Sequence, residues 1–163
     1  MAFKESLQYL NMNACSIGHI HPVWNVIDPN MIELANIQAK LLVQRYPLHG
    51  MSCSGKMKSL YCPLCKEETE TLAHFLLHCP RLQEIRNPFI RRLTEIVGEK
   101  KEEEVLQIIL DPSILNVNSY EQRKLAMMTR KLCYVLHCER NKLLGGQSLH
   151  KFHRQNLSRS IMY

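Results

Sequence analysis

The chain has 163 residues, 45% of them hydrophobic, and a net charge of +6; this suffices for one compact domain and excludes wholesale disorder. No apolar run approaches the roughly 20 residues that cross a bilayer, so no membrane partner is expected. Seven cysteines without a secretory signal are typical of a reducing compartment, so we expect an intracellular protein, nuclear or cytoplasmic.

The first part of the chain contains one predicted helix. Residues 1–29 show no clear periodicity. Residues 30–46 place apolar side chains at helical intervals, and Pro47 ends this helix because the residue before a proline is biased away from the α conformation. Residues 50–59, which contain Gly, Ser and Lys, indicate a loop, and a short hairpin is expected around residues 58–66.

The remainder is predicted to be helical almost throughout. Acidic residues favour the start of a helix at about Glu70, which Pro80 stops. Further helical patterns cover residues from about 81 to 97, 102 to 110 and 119 to 144, the first of them closed by a glycine. These elements predict a mainly α fold, a helical domain with a small CCHC zinc knuckle.

Three regions follow from this order of elements. They are an N-terminal segment at residues 1–29, a region of helix and zinc knuckle at 30–98, and a C-terminal helical region with a basic tail at 99–163.

The knuckle is defined by Cys62, Cys65, His74 and Cys79, in the spacing Cys-x2-Cys-x8-His-x4-Cys. Thiolates and imidazoles are ligands that zinc prefers, and a closed set of four is typical of a structural site. In the Cys-Pro-Leu-Cys turn a thiolate can fold back over backbone N–H groups, so that both sulfurs point to one ion. A redox dithiol is the alternative, but it needs a preceding strand and a helix N-terminus. The sequence therefore predicts one structural Zn²⁺ and no enzyme activity of the chain by itself.

The fourth ligand is open between Cys79 and His78. On a regular helix His74 and His78 share a face, whereas Cys79 lies about 140° around the axis from His74. Pro80 biases Cys79 away from the α conformation, so the helix can end there and the sulfur can turn back toward the site. Because a thiolate is also the stronger zinc ligand, we expect Cys79 to bind and keep His78 as the alternative.

Positive charge is concentrated near the C-terminus, where residues 119–163 contain nine Lys and Arg against two acidic residues. This imbalance is typical of a surface for a polyanion such as RNA or DNA, although a solvated surface has the same composition. Five basic side chains of the last helix lie within about 120° of arc, and a tyrosine among them could stack on a base. The candidate nucleic-acid-binding residues are Lys56, Lys58, Lys66, Arg123, Lys124, Arg130, Lys131, Tyr134 and Lys142.

An apolar stripe lies on the other side of the last helix. We expect it to form internal core, with docking of a partner protein as the alternative, and we expect His137 at the surface. The stripe consists of Leu125, Met128, Leu132, Val135, Leu136 and Leu143.

Several of these segments resemble the zinc-binding region that follows the polymerase domain in non-LTR (LINE-type) retrotransposon reverse transcriptases. The specific part is the Cys-Cys-His-Cys block, Tyr61 to Cys65 and Glu70 to Pro80, together with Arg86. Residues 39–46 are similar to the helix that precedes the knuckle in that family, and residues 130–140 to its closing helix. The similarity covers roughly residues 23–144.

The resemblance implies a module that engages template RNA or target DNA, or that docks onto a reverse transcriptase polymerase domain. A polymerase of this family needs paired aspartates for two metal ions, and this chain has only Asp28 and Asp111. No endonuclease carboxylate cluster follows either. The resemblance therefore implies a retroelement-derived fragment or a domesticated remnant, with residues 1–29 as an incomplete extension of the missing polymerase.

Overall fold

The computed structural model describes residues 8–14, 21, 28–49 and 60–145. Within these ranges there is no β-strand, only an isolated antiparallel bridge between Tyr61 and Thr69. The prediction of a mainly α domain is confirmed. Its α-helices, joined by 3₁₀ and π-helical turns, are α1 (Ile32–Leu42), α2 (Gln83–Val97), α3 (Glu102–Leu110) and α4 (Ser119–Leu143).

Helix α1 follows a 3₁₀ turn, Pro29–Met31, at which the Asp28 carboxylate accepts a hydrogen bond from the backbone N–H of Asn30 at 2.9 Å. The helix ends at Leu42, before the predicted stop at Pro47, because Gln44 adopts a positive φ of 53° that a right-handed helix does not allow. Its buried side carries Leu34, Ala35, Ile37, Gln38, Ala39, Leu41 and Leu42.

Helix α2 follows a second 3₁₀ turn, Pro80–Leu82, and ends where the sequence predicts. Gly98 follows it with φ 75° and ψ −178°, a conformation that is open to glycine and strained for other residues. Pro88 lies inside the helix, where its missing N–H removes one backbone hydrogen bond.

Helices α3 and α4 match their predicted ranges closely. Three glutamates occupy the first turn of α3, where carboxylates favour the helix dipole. Asn118 caps α4, because its side-chain oxygen accepts hydrogen bonds from the backbone N–H groups of Tyr120 and Glu121, both at 3.0 Å. With 25 residues, α4 is about 37 Å long and packs against α1, α2, α3 and the 3₁₀ turn Pro112–Ile114.

The hydrophobic core lies where α4 passes the other helices. Of the predicted apolar stripe, Leu125, Leu132 and Leu136 are fully buried, whereas Met128 and Val135 are half-buried and Leu143 is exposed. The central part of the stripe is therefore internal core, as expected, and is not available to a partner. The core draws on residues from both the 30–98 and the 99–163 regions.

One buried polar side chain joins three of the helices. Gln38 of α1 donates hydrogen bonds to the Ile109 carbonyl of α3 at 2.7 Å and to the Thr129 hydroxyl of α4 at 3.0 Å. Because an unsatisfied amide would be costly here, these bonds fix how α1 sits on α3 and α4. None of the helices in the described ranges combines the length and apolarity needed to cross a membrane.

Candidate metal centre

The first two cysteines lie in a tight turn between two short, paired arms. Cys62 N donates to the Glu68 carbonyl at 2.7 Å, and Glu70 N donates to the Leu60 carbonyl at 3.0 Å. The chain reverses at Lys66, directly after the second cysteine, with a positive φ of 64°. Of the hairpin expected around residues 58–66, residues 58 and 59 lie outside the described residues, and the rest forms a turn with one isolated bridge instead of paired strands.

The other two candidate ligands lie at the two ends of a π-helical turn, His74–His78: His74 is its first residue and Cys79 directly follows it. The helix opens after Thr71, whose hydroxyl accepts a hydrogen bond from His74 N at 3.0 Å. Cys79 N donates to the His74 carbonyl, five residues back, at 2.7 Å. In such a wide turn the fifth residue comes back toward the side of the first, whereas in a regular α-helix it lies about 140° around the axis. Cys79 therefore lies on the side of His74, and its ψ of 116° takes the chain out of the helix before Pro80.

The four side chains converge on one point. Their ligand atoms all lie within 4.8 Å of one another, with 3.8 Å between the sulfurs of Cys62 and Cys79 and 3.4 Å between Cys65 Sγ and His74 Nε2. Three of the residues are buried, Cys65 is half-buried, and the cysteines are free thiols. The cluster is close enough to hold one metal ion.

His78, the alternative fourth ligand, points elsewhere. Its side chain is 44% exposed, and its Nε2 lies 2.8 Å from Glu102 Oε1 at the start of α3. The structure thus brings Cys79, and not His78, together with the other three residues. Helical geometry at about 100° per residue favours His78, and the π-helical turn is what reverses that preference.

Burial and backbone N–H groups act on the thiols in opposite directions. Burial raises the pKa of Cys62, while the backbone N–H groups of Cys65 and Leu64 lower it. Burial raises the pKa of Cys79 to about 12, opposed by the N–H of Arg81. The N–H groups that stabilise a thiolate are therefore in place at both ends of the site. A bound cation would complete that stabilisation and release the thiol protons.

A carboxylate orients the histidine. Glu68 Oε2 lies 3.0 Å from His74 Nδ1, so a proton on Nδ1 is held by the carboxylate and the Nε2 lone pair faces the cysteines. Sequence reasoning missed this role of Glu68. In the sequence Glu68 is only one of several acidic residues shortly before the histidine. Glu67 and Glu70 have the same chemistry, so the sequence gives no reason to choose Glu68 among them.

Glu70 has a different role from the predicted one. It precedes the helix instead of opening it, is fully buried, and pairs with Arg140 through contacts of 2.8 and 3.0 Å. A second buried arginine, Arg86 on α2, is 4% exposed. Burial lowers the pKa of Arg86, and the charge of the Cys79 thiolate raises it.

The predicted nucleic-acid-binding residues fall into four groups. Lys56 and Lys58 lie outside the described residues. Lys131 is half-buried, and burial lowers its pKa. The exposed members are Lys66, Arg123, Lys124 and Lys142, of which Lys142 pairs with Glu139 at 2.9 Å.

Two residues of the predicted basic face are buried, which corrects their assignment. Arg130 is 7% exposed and Tyr134 is 4% exposed, with the Tyr134 hydroxyl 3.3 Å from Glu33 on α1. Neither side chain is available to a nucleic acid in this structure. The expectation of a surface position for His137 is also wrong, because its ring is half-buried and its Nδ1 lies 2.7 Å from the Tyr46 hydroxyl. The same physical reason applies to all three residues. Other helices pack against α4 on several sides, so part of its polar arc is removed from solvent.

Comparisons with known proteins add no relative to this description. Searches of protein-family models, curated proteins and solved structures find no match to the chain. The resemblance to the retrotransposon zinc-binding region therefore rests on the residues that carry it.

Proposed function

We propose that this chain is a zinc-binding module in which one structural Zn²⁺, held by Cys62, Cys65, His74 and Cys79, organises the segment from Leu60 to Leu82. The observation that carries the proposal is the convergence of four soft ligand atoms within 4.8 Å. In a tetrahedral site with Zn–S bonds of about 2.3 Å, two sulfurs stand about 3.8 Å apart. The Cys62 and Cys79 sulfurs are 3.8 Å apart.

The donor set favours a structural over a catalytic role. Four protein ligands fill a tetrahedral zinc site and leave no open position for water or substrate, and three of the four residues here are buried. Bound zinc would cross-link the Cys-Pro-Leu-Cys turn to the π-helical turn. Zinc binding would then contribute local folding free energy to this segment.

The test is metal content by native mass spectrometry at neutral pH. We expect one zinc ion per chain for the wild type, and loss of that ion with Cys62→Ser or His74→Ala. Cys138→Ser is the matched control, since Cys138 lies on α4 outside the cluster and its loss should leave the zinc bound. Circular dichroism should show that the helices persist in every variant. A wild-type chain that carries no metal would contradict the proposal.

We further propose that the module binds single-stranded RNA or DNA. Support comes from the net charge of +6 and from three exposed cations, Lys66 beside the metal cluster and Arg123 and Lys124 on α4. Electrostatic contact with phosphates would supply most of the affinity. The alternatives are docking onto a reverse transcriptase polymerase domain, and a domesticated remnant without activity.

Salt dependence separates these alternatives. Each phosphate contact on a single strand contributes about −0.7 to the slope of log K against log[salt], so three contacts give about −2. Arg123→Glu with Lys124→Glu should flatten this slope by one unit or more. The control is Arg91→Glu with Arg92→Glu, which makes the same charge change at exposed positions of α2. Salt-insensitive binding to a polymerase fragment would favour the docking alternative, and no binding to either would favour the remnant.

A further inference from the structure

Arg86 is a buried cation without a complete set of partners. It lies on α2 and is 4% exposed, and its buried Nη1 has no hydrogen-bond partner in the described part of the chain. Removing a guanidinium from water without a compensating anion is strongly unfavourable. The surroundings of Arg86 should therefore supply negative charge in the functional state.

The position of Arg86 points to the metal cluster as the source of that charge. Helix α2 packs against the π-helical turn and the Pro80–Leu82 turn, which flank Cys79 on either side. Arg86 lines a cleft of about 390 Å³ with His78, the residue before Cys79, and with Glu102, whose carboxylate lies 2.8 Å from His78 Nε2. A thiolate at Cys79 raises the pKa of Arg86 against the larger, lowering effect of burial, so Arg86 lies within electrostatic reach of that ligand.

The charge of the proposed centre matches this requirement. Three thiolates and a neutral imidazole around a divalent cation sum to −1, and one guanidinium cancels it. We propose that Arg86 is the counter-cation of the metal–thiolate centre, a positioning residue that favours a divalent ion bound by three thiolates. The inference rests on the proposed zinc site and assigns to Arg86 a part that none of the four ligands can supply.

The test compares metal affinity with the stability of the metal-free chain. Arg86→Met keeps an unbranched apolar stem but removes the charged guanidinium group. We expect it to weaken Zn²⁺ affinity about 10- to 100-fold in competition with a chromogenic chelator, because residues that support metal ligands commonly have effects of this size. In the chelator-treated, metal-free chain the same substitution should leave the melting temperature unchanged or raise it, since a buried cation has been removed. A residue that only fills space would lower stability in both states.

Arg130→Met is the matched control. Arg130 is also a buried arginine, 7% exposed, but it lies on α4, and burial is what lowers its pKa. Its substitution should leave Zn²⁺ affinity within about threefold of the wild type, because Arg130, unlike Arg86, does not line the cleft next to the Cys79 segment. Arg86→Lys, which keeps the positive charge, should have a Zn²⁺ affinity much closer to that of the wild type than Arg86→Met has.

The charge argument has a second, independent arm. Cys65→His would make the centre neutral, with two thiolates and two imidazoles, and Cys65 is the one ligand of the four that is only half-buried. In the wild-type background Arg86→Gln should weaken Zn²⁺ binding, and in the Cys65→His background it should have no effect. This comparison tests the inference even if Arg86→Met does not fold. Equal Zn²⁺ affinity of the wild type, Arg86→Met and Arg86→Gln would overturn the inference and leave the zinc site intact. A wild type that binds no metal would instead remove the proposed function on which the inference rests.

Discussion

Arg140 donates two hydrogen bonds to the buried carboxylate of Glu70, at 2.8 and 3.0 Å, and thereby ties the last helix to the chain between the metal-binding residues. Glu70 also accepts a hydrogen bond from His49 N at 2.7 Å, and Arg140 donates to the Pro47 carbonyl at 3.3 Å. Glu70 lies between Cys65 and His74 in sequence. The pair therefore holds together the knuckle, the segment that follows α1 and the end of α4.

Loss of one member of this pair should be strongly destabilising. Arg140→Met leaves the Glu70 carboxylate buried without its cation, which costs about 3 to 5 kcal/mol in comparable buried pairs. Urea unfolding of the metal-loaded chain would measure the difference. Lys142→Met, on the same helix but in an exposed pair with Glu139, should cost less than about 1 kcal/mol. Similar losses for the two variants would mean that the Glu70–Arg140 pair is not held as described.

The choice of the fourth ligand can be measured directly. Cys79→Ser should weaken zinc binding far more than His78→Ala, because His78 is exposed and contacts Glu102 instead of the cluster. Competition against a chromogenic chelator reports both affinities on one scale. The reverse order would show that the helix continues without π winding when metal is bound, and that His78 completes the site.

Glu68 offers a milder perturbation of the same site. Glu68→Gln removes the charge that holds the His74 Nδ1 proton, and we expect about tenfold weaker zinc binding, at the lower end of such effects because Glu68 is 67% exposed. Glu67→Gln is the control, an exposed glutamate one residue away without a contact to the histidine ring in the described structure. If both variants bind zinc equally well, the carboxylate does not orient the ring.

His137 should make stability depend on pH. Burial, and then the charge of Arg140, lowers the pKa of His137 below its ordinary value of 6.5. The unfolded chain therefore takes up this proton before the folded chain does. Stability should be full above about pH 6.5 and should decline as the pH falls below that value, by at most about 1.4 kcal/mol per pH unit, until the folded-state pKa is reached.

The control for this effect is His137→Gln, which cannot titrate. Zinc ligands also take up protons in acid, so the informative quantity is the difference in unfolding free energy between wild type and variant, both loaded with metal. That difference should change between about pH 7 and pH 5. A constant difference would show that His137 has the same pKa in the folded and unfolded chain.

Much of the fold could be predicted because its signals are local. Helix α3 begins with a run of glutamates and ends before Asp111-Pro112, and Gly98 follows the end of α2. The helical spacing of apolar residues, and the residues that start or end a helix, can be recognised within a window of a few residues. The zinc-binding spacing is equally local, and the four candidate ligands could therefore be chosen from their order along the chain.

The features that escaped prediction depend on contacts between distant parts of the chain. Glu70 resembles an ordinary helix-opening carboxylate until Arg140, 70 residues later, is known to lie beside it. Tyr134 falls on a polar arc when α4 is considered alone, and only the packing of α1 over that arc buries it. The π winding between His74 and Cys79 is also absent from any projection that assumes a fixed rotation of about 100° per residue.

The π-helical turn makes the number of residues between His74 and Cys79 as important as their identity. In an α-helix the residue that shares a side with His74 is the fourth one on, so a chain shortened by one residue between the two ligands would bring them together without π winding. An inserted residue ordinarily rotates the rest of a helix by about 100°. Here the wide turn absorbs that insertion within five residues. The turn therefore accommodates one residue more than an α-helical turn would between the two ligands. We expect the metal site to tolerate a one-residue deletion within this turn better than a deletion between Cys62 and Cys65.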